Sequence, residues 1–317
     1  MSTDTTMKGV LLAFAAFAAF AWSDASVKMI EGALSAFEMA FLGAVFGLAG
    51  LPFIMKRGDH LVDMLRTTHR PLWLLRALSA AMGTICSVTA FTYLSMAEAF
   101  ALIFLLPSFV TIMSVLFLKE QVGIRRWSAV LIGFIGVMIV LRPGFRELSV
   151  GHVAAVFAGL SGAISIVVYR ALGSREKGIS LYGAGIIGSL VVCGVLAVPG
   201  FTWPTPMQWA MLAGYGLFAA LANILTMHAT AHAPAAVIGP TQYSQMLWAV
   251  LLGYLIFGDT IDLPMILGIA LIIASGLLTL SRERIRGVPL PPAVATDPQA
   301  TALAATDEAA EKADRTI

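Results

Sequence analysis

Polar residues interrupt this chain at wide intervals, and what lies between them is neither the strict alternation of a half-buried strand nor the striped pattern of a surface helix. The apolar positions form long, nearly unbroken runs at residues 9–30, 35–55, 71–94, 98–118, 126–141, 151–172, 179–199, 207–230, 234–257 and 264–280. A hydrocarbon core about 30 Å thick takes about 20 helical residues at 1.5 Å each. The pattern therefore predicts ten transmembrane helices and an all-α membrane protein. The separators are short and rich in helix breakers, such as Lys56-Arg57-Gly58-Asp59, Arg142-Pro143-Gly144 and Thr202-Trp203-Pro204-Thr205-Pro206, and leave no room for a soluble domain between spans. Residues 287–317, with Pro, Ala, Thr and the late acids Asp307, Glu308, Glu311 and Asp314, lack an apolar face and read as a disordered tail.

Composition agrees. Of 317 residues, 59% are hydrophobic and 12% charged, about half the usual charged share, and the mean hydropathy is +0.88. Lipid is the main solvent. A net charge of +2 leaves no basic surface for nucleic acid. The two cysteines, Cys86 and Cys193, both lie in apolar runs and offer neither a disulfide framework nor a Cys-rich metal site. No phosphate-binding loop or paired intramembrane aspartates are spelled out, so no cofactor or metal is expected. The expected partners are the bilayer and a small-molecule substrate, with the chain a monomer or homodimer.

Lys and Arg near the span ends set the orientation. With the N-terminus cytoplasmic, the inside segments hold fourteen (Lys8; Lys56, Arg57, Arg66, Arg70; Lys119, Arg125, Arg126; Arg170, Arg175, Lys177; Arg282, Arg284, Arg286) against three outside (Lys28, Arg142, Arg146). Both termini are thus expected in the cytoplasm. Lys8 before an apolar stretch and Ala19-Phe20-Ala21 imitate a cleaved signal, but the run continues past the site and is expected to be retained.

The chain also repeats. Setting Gly9 against Gly151 aligns Ala13, Ala16 and Ala21 with Ala155, Ala158 and Ala163, and Lys28 with Arg170; Phe117-Leu118-Lys119-Glu120 matches Ile256-Phe257-Gly258-Asp259. Five spans per copy is an odd number, so the copies enter the bilayer from opposite sides, the pattern of a secondary transporter. The expected organisation is a cytoplasmic N-terminus (1–8), two inverted five-helix repeats (9–145 and 146–286) and a cytoplasmic tail (287–317).

Ala97-Glu98-Ala99 leading through Phe104 to Pro107, then Leu118-Lys119-Glu120, Arg125-Arg126-Trp127, Gly133-Phe134-Ile135-Gly136-Val137 and Arg142-Pro143-Gly144 resemble the EamA-type branch of the drug/metabolite transporter superfamily. Pro234-Ala235, Gln242-Tyr243, Trp248 and Phe257-Gly258-Asp259 repeat the resemblance in the second half. It implies a ten-helix bundle around a central substrate cavity, moving amino acids, riboflavin, S-adenosylmethionine or similar solutes across a bacterial inner membrane. Related sequences often carry an Arg shortly after the Phe-Glu of the second span; here Phe37-Glu38 is followed by Gly43, leaving Glu38 without that partner.

A charge at the bilayer centre costs about 2.5–3.5 kcal/mol on insertion scales, which singles out the ionisable groups inside spans. Asp24 and Lys28 stand four apart, either as a self-neutralised pair near the outer surface or with Asp24 and its neighbours Trp22 and Ser23 on the cavity wall as a substrate or proton contact. Glu38 reads as a helix cap, and Glu98 as a cap or as the holder of a cationic group or proton. Arg76 is expected to snorkel to headgroups, Glu120 and Asp259 to serve as loop and capping residues, and Asp262 to start a helix. Asn223, His228 and His232 fall in the inner half of the eighth span; the two histidines, four apart, lack a third zinc ligand. In the ninth span Thr241, Gln242, Tyr243, Ser244 and Gln245 follow Pro240; Gln242, Tyr243 and Gln245 are candidate substrate ligands, with Trp248 as an aromatic wall, against helix-to-helix hydrogen bonding as the alternative. Gly159-Leu160-Ser161-Gly162 spells the pattern of a rhomboid-type protease, but its small residues equally suit close helix packing. The chain reads as a secondary transporter rather than an enzyme, with a non-transporting sensor as the other class.

Overall fold

A computed structural model of the chain describes residues 3–30, 32–55, 58–119, 123–141, 147–172, 176–232 and 239–286. Among these residues the fold is all helical: α1 (Thr3–Lys28), α2 (Ala36–Gly47), α3 (Leu51–Ile54), α4 (Arg70–Tyr93), α5 (Met96–Ile103), α6 (Leu106–Leu118), α7 (Ile124–Leu141), α8 (Val150–Leu172), α9 (Gly178–Ala197), α10 (Pro206–His232), α11 (Ser244–Phe257) and α12 (Leu263–Arg286). Among the described residues seven segments are long and apolar enough to cross a membrane: Met7–Lys28, Ala36–Phe53, Arg70–Tyr93, Met96–Phe117, Val150–Val168, Ile179–Gly200 and Pro206–Ala229. The fifth and tenth expected spans contain shorter apolar helices, Trp127–Leu141 and Leu263–Ser275, and the ninth, described from residue 239, is a 3-10 turn followed by α11. The expected tail, Glu120, Arg142–Arg146 and Pro234-Ala235 lie outside the described residues.

Helix starts are written into the sequence. Ser35 caps α2 and Ser95 caps α5, each hydroxyl accepting from the backbone N–H of a glutamate three residues on, Glu38 and Glu98, at 3.2 Å. Asp262 accepts from Met265 N at 3.1 Å and starts α12, as expected.

The fourth span is broken. Between α5 and α6 the chain turns at Phe104 and Leu105, and Pro107, which has no N–H to donate, occupies the first turn of the new helix. The ninth span, as described from residue 239, passes from the 3-10 turn Gly239–Tyr243 directly into α11. An offset of 139 carries Phe104 onto Tyr243, and the two rings meet with centroids 5.5 Å apart, extending an aromatic chain from Phe91 through Phe100. The same offset carries Lys119, at φ +53°, onto Gly258, at φ +65°. Each ends its helix left-handed, with its N–H bonded to the carbonyl five residues back, Ser114 or Gly253.

Helix packing obeys the same exchange of halves: α1 lies on α10 as α8 lies on α4, α9 meets α4 as α2 meets α10, and α2–α9 and α7–α12 pair with their own counterparts. The pairs are antiparallel: Ser23 and Ser26 of α1 adjoin Tyr215 and Gly214, while α8 places Gly151 at Tyr93 and Leu94 and Ser165 at Arg76. The C-terminal Lys28 of α1 reaches the Leu94 carbonyl, and the N-terminal Gly151 of α8 packs on Leu94. The corresponding helices α1 and α8 therefore run in opposite directions.

Small residues permit these approaches in the absence of any hydrophobic drive between helices in lipid. A Cβ on Gly136 would lie 2.8 Å from the Gly268 carbonyl, and one on Gly268 2.7 Å from that of Gly136. Gly159 brings α8 to the Ile103 carbonyl at the fourth-span break, and Gly162 faces Leu106. Ser161 is buried between them with its carbonyl accepting from Ser165, so the protease-like spelling is a packing surface. At Gly188 a Cβ would strike the Ala77 carbonyl, whereas Gly47 faces open space. Gly188→Ala is expected to destabilise by about 1–3 kcal/mol through overpacking. Gly47→Ala should be neutral or slightly stabilising, and thermal unfolding of the two purified variants measures the difference.

Candidate functional site

Two buried polar couples each join the first helix of one half to the fourth span of the other, α1 to α11 and α8 to α5. In the first, Asp24, 6% exposed, accepts from Gln245 Nε2 at 3.3 Å. In the second, Glu98, 7% exposed, lies 3.2 Å from His152 Nε2 through Oε1. His152 Nδ1 is 2.9 Å from both the backbone N and the hydroxyl of Ser149. A backbone N–H only donates, so Nδ1 accepts, and the neutral imidazole carries its proton on Nε2, directed at Glu98. His152 was not singled out from the sequence; the available signal was its place three residues after Ser149 at the start of an apolar run, the spacing of a cap.

A third polar group ties these interfaces together at the end of the molecule that carries Lys28. Lys28 Nζ contacts Asp259 Oδ2 at 3.2 Å and the Leu94 carbonyl at 3.0 Å and lies 4.9 Å from the centroid of the Phe257 ring. Asp259 Oδ2 also accepts from Met96 N, at 3.2 Å, at the head of α5. Lys28 thus reaches across to the turn after α11, and Asp259 is an ion-pair partner, not only a loop residue. Nearby, Glu38, 1% exposed, accepts from Thr202 N at 2.9 Å and from its hydroxyl at 3.3 Å. The Tyr215 ring fills the space a side chain at Gly43 would need, so Glu38 is satisfied by the loop before α10 in place of an arginine.

The opposite end has its own ties. Glu176 Oε1 accepts from the Thr67 and Thr68 hydroxyls at 2.9 and 2.6 Å and from the backbone N of Thr68 and His69 at 2.6 and 3.2 Å. Asp63 bonds Lys177 at 2.9 Å and Arg66 at 3.2 Å. The hydrogen bond from Lys177, helped by that from His60 N, holds the Asp63 carboxyl below its ordinary value. Burial pushes the Glu176 carboxyl up, but the bonds from Thr68, Thr67 and His69 outweigh it and leave it lowered. Thus each end joins the start of one span to a threonine of a loop in the other half.

Arg76 does not snorkel. It is fully buried in α4, with Nη1 donating to Ser165 Oγ on α8 at 3.1 Å, and Ser79 Oγ sits 3.2 Å from the same hydroxyl.

The remaining candidates divide. Ser23 is buried but donates to the Tyr215 carbonyl at 2.7 Å, joining α1 to α10. Trp22, 39% exposed, packs against Phe218. Two residues along a helix turn by about 200°, so Trp22 and Asp24 face nearly opposite sides and cannot share one wall. Asn223 is buried, its Nδ2 donating to the Ala219 carbonyl, while its Oδ1 and the hydroxyl of buried Ser244 have no partner among the described residues. Gln242 and Tyr243 are buried and bonded to each other, and Trp248 is half-buried against the core. His228 is exposed, and no group of three or more metal-ligating side chains occurs among the described residues.

Comparison with known proteins places this arrangement. The EamA-like transporter family matches residues 7–142 and again residues 149–281. The chain is 24% identical over 290 residues to the pseudopaline exporter CntI of Pseudomonas aeruginosa, covering 90% of this chain and 99% of that protein. It is 27% identical over 271 residues to the S-adenosylmethionine uptake transporter of Rickettsia bellii (83% and 89%), and 30% identical over 227 residues to the riboflavin transporter of Vibrio cholerae (71% and 76%). A protein of known crystal structure shares the fold at a TM-score of 0.60 and 17% identity, over 88% of this chain and 98% of that one.

Because the Asp63 and Glu176 carboxyls are lowered, their ties contribute stability above the ordinary carboxylate range and lose it as pH falls through the lowered values. Hydrogen exchange at the Thr68 and His69 amides is expected to be slow at neutral pH and accelerated below about pH 4 beyond its intrinsic trend. Glu176→Ala should produce the acceleration at neutral pH.

Proposed function

This chain belongs to the EamA-like transporter family, and we propose that it is a secondary transporter carrying a small polar or amphipathic metabolite across a bacterial inner membrane by alternating access. It is a multi-pass membrane protein of a family whose relatives are named as transporters rather than enzymes. The proposed architecture is ten membrane segments in two inverted five-segment repeats, with both termini in the cytoplasm and the Lys28 end outside. The excess of Lys and Arg at the opposite end supports that orientation.

The observation that carries the reading is the meeting of the interrupted fourth span with the 3-10 start of the ninth. The break of the fourth span and the 3-10-to-α transition of the ninth fall at corresponding points, where Phe104 and Tyr243 touch, next to the buried Asp24–Gln245 couple. Interrupted helices near the midplane release backbone groups that can serve a solute, and paired inverted halves supply two conformations of similar energy. In this reading the solute binds along α1, α10 and α11. Asp24 takes a positively polarised or cationic group, Gln242, Tyr243 and Gln245 supply neutral hydrogen bonds, and Asn223 Oδ1 and the Ser244 hydroxyl, which have no partner among the described residues, offer further contacts. The solutes named for the relatives, S-adenosylmethionine and riboflavin, are both of this polar or amphipathic size class and are the first to test.

A flux screen in proteoliposomes across amino acids, flavins and S-adenosylmethionine should give saturable uptake or exchange of at least one class. Asp24→Asn and Gln245→Ala should each lower that flux about tenfold or more while the protein remains folded, with the loss of the buried hydrogen-bonded contact costing about 1–3 kcal/mol in thermal stability. Trp22→Leu should leave it unaltered. Absence of flux for every solute class from stably folded protein would end the proposal.

A further inference from the structure

We propose that the Lys28–Asp259 ion pair is a clip that closes one end of the molecule by grasping the free backbone groups where α4 meets α5. The inference rests on the transporter reading and assigns it a gate.

Where α4 stops and α5 starts, the chain leaves one carbonyl and one N–H that neither helix can use. The Leu94 N–H is the last to bond back into α4, at Ala90, so the Leu94 carbonyl has no partner within that helix. Met96 opens α5, and its N–H likewise lacks an acceptor within its own helix. The ion pair serves both groups. Lys28 Nζ donates to the Leu94 carbonyl at 3.0 Å, and Asp259 Oδ2 accepts from Met96 N at 3.2 Å. Nζ and Oδ2 are themselves 3.2 Å apart. The polarity matches as well: the ammonium lies at the negative, C-terminal end of α4, and the carboxylate at the positive, N-terminal end of α5. Each grasp is a charge-assisted hydrogen bond, roughly twice as strong as a neutral one.

Both charges are fixtures of one helix group, α10–α11–α1. Lys28 ends α1, with Nζ 4.9 Å from the centroid of the Phe257 ring at the end of α11, and Asp259 follows α11 by two residues. The turn aims the carboxylate. Gly258 takes φ +65° and the Asp259 N–H returns to the Gly253 carbonyl at 2.9 Å, which folds the side chain back over α11. Gly253 leaves room for it there, since a Cβ at that position would lie 2.9 Å from Asp259 Oδ2. The backbone groups that the pair grasps belong to the other helix group, α4–α5–α6–α8. Separation of the groups at this end therefore breaks the bonds to Leu94 and Met96 and leaves the ion pair whole. A contact kept in both conformations cannot choose between them, so the two backbone bonds, not the salt bridge, bias the equilibrium.

The test uses the full-length chain in lipid nanodiscs, with Cys86 and Cys193 replaced and spin labels at Tyr93 of α4 and Met207 of α10, both exposed near the Lys28 end. Without any solute, Lys28→Met and Asp259→Ala should each raise the ratio of long to short label distances about tenfold or more, the loss expected for a hydrogen bond to a charged group. Lys28→Met keeps an aliphatic stem over the Phe257 ring and so guards against a trivial failure to fold. Gly253→Ala, which leaves every charge in place and displaces the carboxylate, should shift the ratio the same way. The exchanged pair, Lys28→Asp with Asp259→Lys, separates a clip from a salt bridge. It restores opposite charges but turns a carboxylate toward the Leu94 carbonyl and an ammonium toward the Met96 N–H, so the end should stay as open as in the single variants. Wild-type distances in Lys28→Met and Asp259→Ala, or a return to them in the exchanged pair, overturn the inference. Failure of the transporter reading would show instead as no flux of S-adenosylmethionine, riboflavin or amino acids by wild type, with the solute-free distances still deciding whether the pair is a clip.

Discussion

A helix cannot be interrupted in lipid unless the freed backbone groups find partners inside the protein, because no water is there to take them. This chain interrupts its fourth span after Ile103, and its ninth passes from a 3-10 turn into an α-helix at Ser244. These two points meet through Phe104 and Tyr243, and Gly159 and Gly162 let α8 approach Ile103 and Leu106 beside them. The same enclosure buries polar groups that would not survive facing lipid: Asp24 with Gln245 on one side, Glu98 with His152 on the other.

The two ends of the molecule are built from one pattern with different chemistry. At the Lys28 end a lysine and an aspartate from opposite halves join the head of α5, and Glu38 holds the loop before α10. At the other end Glu176 and Asp63 bind the loop before α4. Each tie is a handful of hydrogen bonds between halves, which in the proposed alternating-access reading would hold one end while it is closed and be exchanged when it opens.

Much of the architecture was legible in the sequence, because long apolar runs and Ser-x-x-Glu caps are local signals. The repeat was legible at Lys119 and Gly258, which do end their helices in the same left-handed conformation. What local reasoning missed was long-range. Lys28 and Asp24 satisfy the spacing of a helical pair, yet Lys28 reaches Asp259, 231 residues away. Arg76 is close enough to a helix end to reach headgroups, but the serines of α4 and α8 keep it inside. Trp22 stood beside Asp24 in sequence and stands away from it on the helix. His152 carried no motif at all; its meaning comes from Glu98, which only the fold brings to it.

Alternating access, as proposed, requires the two helix groups, α4–α5–α6–α8 and α10–α11–α1, to move against each other about the fourth and ninth spans. Spin labels at Tyr93 and Met207 near the Lys28 end, and at Leu74 and His228 near the other, placed in a chain with Cys86 and Cys193 replaced, read that motion directly by pulsed electron resonance. Addition of a transported solute is expected to lengthen one pair of distances and shorten the other. Distances that stay fixed at both ends, or that change in the same sense, would contradict it.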